Sequence, residues 1–294
     1  LAISTNRINV GAFLDDYENA GANHIFTINP TTFIATQEDK LVFNTVVSNG
    51  NQGHYVSVAT AGSFIVGSKS INSGAYVGFI YDYNSSTQTY IKTNVIISSS
   101  CLSSTYCYVA ISGDGNFAAI SKPNVDNIGE VRTLSKQNGS WVVGATTLNG
   151  SPFTGLAFFG RSMALDGTGA VLAIGGSQYP NSGDNNGRVY VYTRSGYTYS
   201  LATYLTPIGT INAFGSALAI SNDGTVLCVG SPSTADQTSA NFTIYRNSGT
   251  WTLETQIYNS DITYSNFASS LSLTLAGTRL AVGGQIGNSL TTYK

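Results

Sequence analysis

A repeat of about 55 residues is the feature that most limits how this 294-residue chain can fold. Three segments superpose without a gap: FGRSMALDGTGAVLAIGG (159–176), FGSALAISNDGTVLCVGS (214–231) and FASSLSLTLAGTRLAVGG (267–284). Two weaker copies precede them, YCYVAISGDGNFAAIS (106–121) and GHYVSVATAGSFIVGS (53–68), and LAIS opens the chain as a truncated copy. A fixed period of this length is typical of architectures in which each unit buries its faces against the next.

The period is measured from the small residue that ends the second apolar run of each copy. Successive copies are 63, 54, 54, 55 and 53 residues apart. The residues compared are Ser4, Gly67, Ser121, Gly175, Gly230 and Gly283. The pattern predicts one domain of six repeats with approximate bounds 1–47, 48–100, 101–153, 154–209, 210–261 and 262–294.

Each complete repeat contains four predicted strands. SALAIS and TVLCVG are joined by N-D-G, which is the residue chemistry of a tight hairpin turn. A polar loop leads to an aromatic-rich third strand such as RVYVYTR, and an S-G or N-G turn leads to the fourth strand. No window of eleven or more residues places apolar residues at helical spacing, so no helix of consequence is expected.

Four-stranded antiparallel units at a regular period predict an all-β fold, a β-propeller in which each twisted sheet packs between its neighbours. Six blades are favoured, with seven as the alternative. Segment 1–47 holds predicted strands two to four of a blade and 262–294 holds strands one to three, so both end blades are expected to be incomplete. Residues outside this chain, a strand from a neighbouring subunit, or tolerance of a defective blade would each account for the missing strands.

The composition excludes several classes of partner. Only 10% of residues are charged and the formal net charge is −2, so there is no positive field to hold nucleic acid or an anionic membrane. No stretch approaches the roughly 18 consecutive apolar residues that would cross a bilayer. The first residues lack the pattern of a signal peptide, and the chain begins with Leu1, which indicates processing or residues upstream.

The order of residues in the repeat resembles that of the FG-GAP repeat. This order is F-G-x-S-x-A-[IL]-S-x-D-G-T-x-L-[AC]-V-G, a loop, G-x-V-Y-V-Y and then S-G-x-W-x-L. The FG-GAP repeat is the blade of integrin α-subunit-like propellers, and the resemblance is strongest with the variant in secreted or surface proteins of microbes and large viruses. It implies an extracellular surface for interactions with other proteins.

Some FG-GAP members bind calcium in the first hairpin through a D-x-D-x-D-G loop, which supplies several carboxylate oxygens. The resemblance therefore implies Asp114, Asp166 and Asp223 as weak calcium candidates. Each corresponding turn here offers at most one carboxylate, so these residues are better interpreted as turn residues that bond nearby backbone amides. No cofactor is otherwise expected.

Cysteines and sequons suggest covalent modifications. Cys101 and Cys107 are close enough to form a disulfide in an oxidising compartment, or are two unrelated reduced residues. Cys228 lies in an apolar run and is interpreted as a buried small hydrophobe. Four N-x-S/T sequons predict N-glycosylation and fit an extracellular location. They are Asn84, Asn138, Asn149 and Asn241.

The chain offers no recognisable catalytic motif. His24 and His54 have no neighbouring ligand residue at metal spacing, and the cluster Asp15, Asp16 and Glu18 is interpreted as a solvated loop. Recurring third-strand tyrosines are interpreted as packing residues. Loop aromatics such as Tyr17 and Tyr179 could instead stack on sugar rings.

These observations predict a non-enzymatic, extracellular structural or adhesive propeller on a cell, virion or fibre. Its expected partners are copies of itself or neighbouring surface proteins, because a nearly neutral surface has few charges to desolvate on assembly. The alternative is a carbohydrate-binding propeller with glycan partners. Neither hypothesis involves nucleic acid or membrane insertion.

Overall fold

A computed structural model describes residues 2–3, 7–12, 22–42, 55–60, 62–67, 76–98, 107–123, 129–149, 158–176, 187–209, 213–233, 240–259, 265–286 and 289–293. The chain forms two compact units, one of residues 1–122 and 131–147 and the other of residues 123–130 and 148–294. Within the described ranges all regular structure is β-strand, which confirms the all-β prediction. The same ranges contain no helix of the length and apolarity that a bilayer crossing requires.

Three antiparallel sheets of four strands belong to the first unit, apart from the extreme ends of two strands. The first sheet comprises β1 (Ala2–Ile3), β2 (Arg7–Ala12), β3 (Ala22–Ile28) and β4 (Ala35–Val42). The second comprises β5 (Tyr55–Val58), β6 (Phe64–Gly67), β7 (Tyr76–Asn84) and β8 (Thr89–Ser98). The third comprises β9 (Tyr108–Ile111), β10 (Phe117–Lys122), β11 (Glu130–Gln137) and β12 (Ser140–Asn149).

The second unit contains two sheets of four strands and one of three. The fourth sheet comprises β13 (Phe159–Leu165), β14 (Val171–Gly176), β15 (Arg188–Ser195) and β16 (Thr198–Leu205). The fifth comprises β17 (Ala217–Ile220), β18 (Val226–Ser231), β19 (Asn241–Asn247) and β20 (Trp251–Tyr258). The sixth comprises β21 (Ser265–Leu273), β22 (Leu280–Ile286) and β23 (Ser289–Tyr293). Each of the six sheets lies within one of the six predicted repeats.

The first repeat differs from its predicted alignment. LAIS was expected to be a second strand, but Ala2–Ile3 forms β1, a short first strand that pairs with β2, so this sheet has four strands and not three. Gly11, and not Ser4, is therefore the small residue near the end of the second strand. The spacing from Gly11 to Gly67 is 56 residues, which makes the period more regular than the sequence alignment suggested.

The hairpin between the first and second strands has the same backbone bonds in successive sheets. In the fifth sheet the Gly224 N–H donates to the Ser221 carbonyl at 3.0 Å, and the Ser221 N–H donates to the Val226 carbonyl at 2.9 Å. The fourth turn residue, Gly224, has φ of 71°, and Gly115 in the third sheet has φ of 72°. These left-handed conformations favour glycine, which explains the recurring D-G.

Neighbouring hairpins are joined by one further backbone bond between the second residues of their turns. In the first unit the Thr60 N–H donates to the Gly113 carbonyl at 2.8 Å. In the second unit Gly167 donates to Asn222 and Asn222 donates to Leu275, each at 2.8 Å. A peptide group offers one donor and one acceptor, so each turn can bond both to the preceding sheet and to the following one.

The glycine that ends the second strand is required by close packing on the next sheet. A Cβ atom on Gly175 would overlap the Gly215 carbonyl, and one on Gly230 would overlap the Ala268 carbonyl. In the first unit, Gly67 lies in the same way against the Cys107 carbonyl. The glycine near the end of one second strand thus contacts the backbone of the residue that follows the phenylalanine in the next repeat.

Apolar clusters between consecutive sheets form the core of each unit. In the first unit Ile65 and Ile80 pack with Cys107 and Ile120, while Phe64 and Phe79 on the opposite face of the second sheet pack with Ile25. The second unit has a corresponding cluster between its fourth and fifth sheets and another between its fifth and sixth. Each middle sheet is therefore apolar on both faces, as the repeat hypothesis requires.

Candidate substrate site on the first strands

The first strands of neighbouring sheets lie side by side. In the second unit β13 contacts β17 and β17 contacts β21, whereas the fourth strands lie at the opposite edge of their sheets. Several apolar side chains of those fourth strands are exposed, as at Leu201, Tyr204 and Leu253. The first strands are therefore where three sheets of this unit bring side chains together.

Each first strand of the second unit has a strained bend at the F-G signature, inside β13 and β21 and just before β17. The residues that precede the phenylalanines, Phe158, Ala213 and Asn266, have φ of 45°, 57° and 54°. The phenylalanines that follow them are buried. The residues after those, Gly160, Gly215 and Ala268, have φ of 92°, 88° and 63°. Two such conformations so close together bend the strand and redirect the side chain that comes next.

Arg161 occupies the redirected position in the fourth sheet. Its guanidinium is exposed, 5.7 Å from the centroid of the Phe158 ring, and it pairs with no carboxylate in the part of the chain that the structure describes. The equivalent residues of the fifth and sixth sheets are Ser216 and Ser269. Arg161 therefore places a positive charge at the position where the neighbouring repeats have a hydroxyl.

Two of the three hydroxyls of this region donate to backbone carbonyls. Ser162 donates to the Gly215 carbonyl at 2.5 Å, and Ser216 donates to the Ala213 carbonyl at 2.8 Å. Ser269 is exposed. We call Arg161, Ser162, Ser216 and Ser269 the arginine–serine edge.

The arginine–serine edge has the chemistry to bind an anion that carries hydroxyl groups. A guanidinium presents a fixed fork of donors that matches the oxygens of phosphate or carboxylate. A hydroxyl that already donates to a carbonyl still has lone pairs with which to accept a bond from a ligand.

The three predicted calcium candidates are turn residues with bonds of their own. Asp114 accepts bonds from the Ser112 hydroxyl at 2.5 Å and the Asn116 N–H at 3.0 Å, and Asp223 accepts equivalent bonds from Ser221 and Thr225. Asp166 accepts from the Val171 N–H at 3.2 Å. The described ranges contain no group of three or more potential metal ligands.

The electrostatics of Asp166 and Asp223 differ because their surroundings differ. Burial raises the pKa of the Asp166 carboxyl, and the bonds from Val171 and its neighbours offset this only in part. Asp223 is exposed, and the bond from the Ser221 hydroxyl lowers its pKa.

The predicted modification sites fall into three groups. Cys101 lies outside the described residues, so its disulfide with the buried Cys107 stays a prediction. Asn138 and Asn149 are exposed and Asn84 is half-buried, and glycosylation there also stays a prediction. Asn241 is completely buried and accepts a bond from Gln256 at 3.2 Å, which leaves no room for a glycan on the folded chain.

Other residues named from the sequence are only partly described. Asp15, Asp16, Glu18, His54, Tyr17 and Tyr179 lie outside the described residues. His24 is half-buried on β3 and pairs with Val10 across the sheet. The third-strand tyrosines Tyr190, Tyr192 and Tyr245 are buried, in agreement with the packing interpretation.

Comparisons with known proteins identify relatives in fold only. No protein-family model matches this chain, and no curated protein matches its sequence. A protein from Lactobacillus plantarum is 16% identical with a TM-score of 0.59, and the match covers 98% of this chain and 81% of that one. A candidate 6-phosphogluconolactonase from Bacteroides fragilis is 12% identical with a TM-score of 0.61, and the match covers 99% and 78%.

A second candidate 6-phosphogluconolactonase, from Bacteroides uniformis, is 11% identical with a TM-score of 0.55, and the match covers 98% of this chain and 92% of that one. The fold is a β-propeller. The propeller prediction is thus confirmed, since the repeated antiparallel sheets and the whole-chain matches agree.

Two sequence-based assignments are corrected by these findings. The FG-GAP assignment is wrong, because no family model matches and these structural relatives are not integrin-like. The prediction of a non-enzymatic adhesive or assembly propeller, with lectin activity as its alternative, is contradicted because two of the relatives are candidate enzymes. The predicted partners and extracellular location stay predictions.

Sequence reasoning did not single out Arg161. A lone arginine in a strand matches none of the histidine, cysteine or paired-carboxylate patterns that indicate catalysis or metal binding. The signal was nevertheless present in the alignment of repeats, where Arg161 aligns with Ser216 and Ser269.

Proposed function

We propose that this propeller is a hydrolase that acts on a phosphorylated sugar lactone and binds the phosphate at the arginine–serine edge. The observation that carries the proposal is the exposed Arg161 guanidinium, which has no carboxylate partner among the described residues. It lies at the position where the adjoining first strands carry the hydroxyls of Ser216 and Ser269. The assignment of two structures of similar fold as candidate 6-phosphogluconolactonases supports this choice of substrate class.

The reaction would open a cyclic ester. A water molecule adds to the acyl carbon, the bond between that carbon and the ring oxygen breaks, and the ring oxygen leaves with a proton as a hydroxyl. The product is an acyclic hydroxy acid, which ionises and releases one proton. Substrate and product share the phosphate, so a cation that binds it holds the sugar through the whole reaction.

In this proposal the guanidinium of Arg161 positions the substrate through a charged hydrogen bond to its phosphate. A hydrogen bond to a charged group contributes about 1.5–3 kcal/mol, which corresponds to a factor of about 10–150 in affinity. Loss of the guanidinium should therefore weaken binding of the phosphorylated lactone by about that factor. A lactone without phosphate should be affected little.

The proposal is tested by measuring acid release from 6-phosphogluconolactone and from gluconolactone, each corrected for spontaneous hydrolysis. We expect enzymatic release with the phosphorylated substrate, and a KM that rises at least tenfold in Arg161→Ala. Arg246→Ala is the matched control, since Arg246 lies on β19 and is engaged by Glu254 at 2.7 Å. Release no faster than the spontaneous rate, or equal KM values in the two variants, would contradict the proposal.

A further inference from the structure

Buried polar groups without partners are concentrated between the first two sheets. Seven buried side-chain atoms among the described residues have no hydrogen-bond partner, and five of them belong to Asn9, Asn23 and Tyr90. Asn9 is 2% exposed and Asn23 is completely buried. Both atoms of each carboxamide, one donor group and one acceptor, are unpartnered.

The two carboxamides lie on the same face of the first sheet. Asn9 on β2 is opposite Ile25, and Asn23 on β3 is opposite Gly11, so they are diagonal neighbours across one pair of strands. Ile25, on that face, packs against Phe64 of the second sheet.

At the first of these positions the other sheets have apolar or small residues, and at the second the fourth and fifth sheets have apolar residues whereas the sixth has Thr292. Asn9 is aligned with Ile65, Ala173 and Cys228, which lie on second strands, two residues before the conserved small residue. Asn23 is aligned with Val189 and Phe242, which lie opposite that small residue. Carboxamides at these core positions are thus a departure from the pattern of this chain.

This departure is costly unless something occupies the site. A buried polar group without a partner costs about 1–3 kcal/mol, and two carboxamides contain several such groups. Buried polar side chains in proteins are commonly satisfied by internal water, which makes about three hydrogen bonds per molecule.

The charges nearby favour a neutral occupant. Arg7 lies on the same face of β2, but Glu38 holds its guanidinium through two bonds of 2.9 Å and 3.0 Å, and the group lies 3.9 Å from the centroid of the Tyr83 ring. The charge of Arg7 is therefore already paired within the described part of the first sheet. Carboxamides offer donors and acceptors in equal measure, and water is the smallest molecule that complements both.

We propose that Asn9 and Asn23 form a binding site for resident water, with at least two water molecules bridging the carboxamides between the first and second sheets. The site is separate from the arginine–serine edge and does not depend on the proposed hydrolase activity.

A crystal structure of the full chain that resolves ordered water tests the proposal directly. We expect two or more waters within hydrogen-bond distance of the Asn9 and Asn23 side chains. Direct bonding of these side chains to each other or to the backbone without water would overturn the proposal. Density for a larger molecule at this place would also overturn it, because the occupant would not be water.

Variants supply an independent measurement. Asn9→Ala with Asn23→Val restores the apolar pattern of the repeat and should expel the water, so the melting temperature should stay the same or rise. The matched control is Ala173→Asn, which puts a carboxamide at the aligned position of the fourth sheet. Ala173 is completely buried in an apolar cluster, so this substitution should lower the melting temperature. A large loss of stability in the double variant would contradict the proposal, since it would mean that the carboxamides bond directly to protein.

Discussion

Replacement of Gly175 by alanine tests whether close approach of backbones holds neighbouring sheets in register. The φ of Gly175 is outside the left-handed region, so the backbone accepts alanine, and restriction of the unfolded chain alone would stabilise the variant by about 0.4–1 kcal/mol. The added Cβ would, however, overlap both the Gly215 carbonyl and the Ser162 hydroxyl. Because a carbonyl in the backbone of the next sheet cannot rotate away, the two sheets must separate.

The expected magnitude follows from overpacking. Extra atoms forced into a packed core cost about 1–3 kcal/mol, and the lost Ser162 bond to Gly215 adds about 1 kcal/mol. After the gain from the unfolded chain is subtracted, we expect a net loss of about 2 kcal/mol for Gly175→Ala, which lowers the melting temperature by about 4–8 °C.

Gly283→Ala is the matched control at the same position of the sixth sheet. Its added Cβ would overlap only the Ser270 hydroxyl, which can rotate, and the nearest backbone atom is the Ser270 carbonyl oxygen at 3.7 Å. The change in stability should stay within about 1 kcal/mol.

The assay is urea unfolding followed by tryptophan fluorescence. The chain has two tryptophans, Trp141 in the first unit and Trp251 in the second. In a Trp141→Phe background, Trp251 reports on the unit that contains Gly175 and Gly283. Equal unfolding free energies for the two alanine variants would refute the reasoning.

Two further predictions concern single side chains. Asp166→Asn should stabilise the protein at pH 7. Because the pKa of Asp166 is raised in the folded state, wild-type stability falls as the pH rises from the ordinary carboxyl pKa through the folded one. The advantage of the variant should therefore vanish in acid, as measured by urea unfolding at several pH values. Asp223→Asn should destabilise the protein at pH 7. Because the pKa of Asp223 is lowered in the folded state, its carboxylate contributes stability above the ordinary pKa, and this stability is lost as the pH falls through the folded pKa. A stabilising effect of the variant at pH 7 would contradict this. Burial raises the pKa of the Cys228 thiol to about 12, so iodoacetamide at pH 8 should leave Cys228 unmodified by mass spectrometry until urea unfolds the chain, and rapid labelling of the folded protein would contradict this.

The period and strand order of this propeller could be predicted because each repeat carries the same backbone requirements. The D-G of the first hairpin is set by left-handed turn conformations such as that of Gly224. The F-G of the next repeat and the glycine that ends the second strand are set by contacts such as that of Gly175 with Gly215. These glycines can be recognised in a single sequence because few other residues fit a left-handed turn or a close backbone contact.

The same signals explain the wrong family assignment. F-G and D-G record a bend and a turn that a blade needs, so their presence indicates local geometry and not descent from one family. The first repeat was misaligned for a related reason. Its second strand carries Arg7 and Asn9, which hide the apolar pattern of RINVGA.

The candidate site was less predictable than the fold. A binding group such as Arg161 acts through exposure and through what lies on the adjoining sheets, and neither is visible in one strand of sequence. The burial of the Asn241 sequon was hidden for the same reason, since its exposure depends on packing within the sheet.

Calorimetric titration with 6-phosphogluconate and with gluconate would test most directly whether the arginine–serine edge binds the phosphate of a sugar acid. We predict that wild-type protein and Arg246→Ala bind 6-phosphogluconate with the same affinity, that Arg161→Ala binds it at least tenfold more weakly, and that gluconate does not distinguish the three proteins. Equal affinity of Arg161→Ala and wild type for 6-phosphogluconate, or no binding by any of the three, would contradict the account.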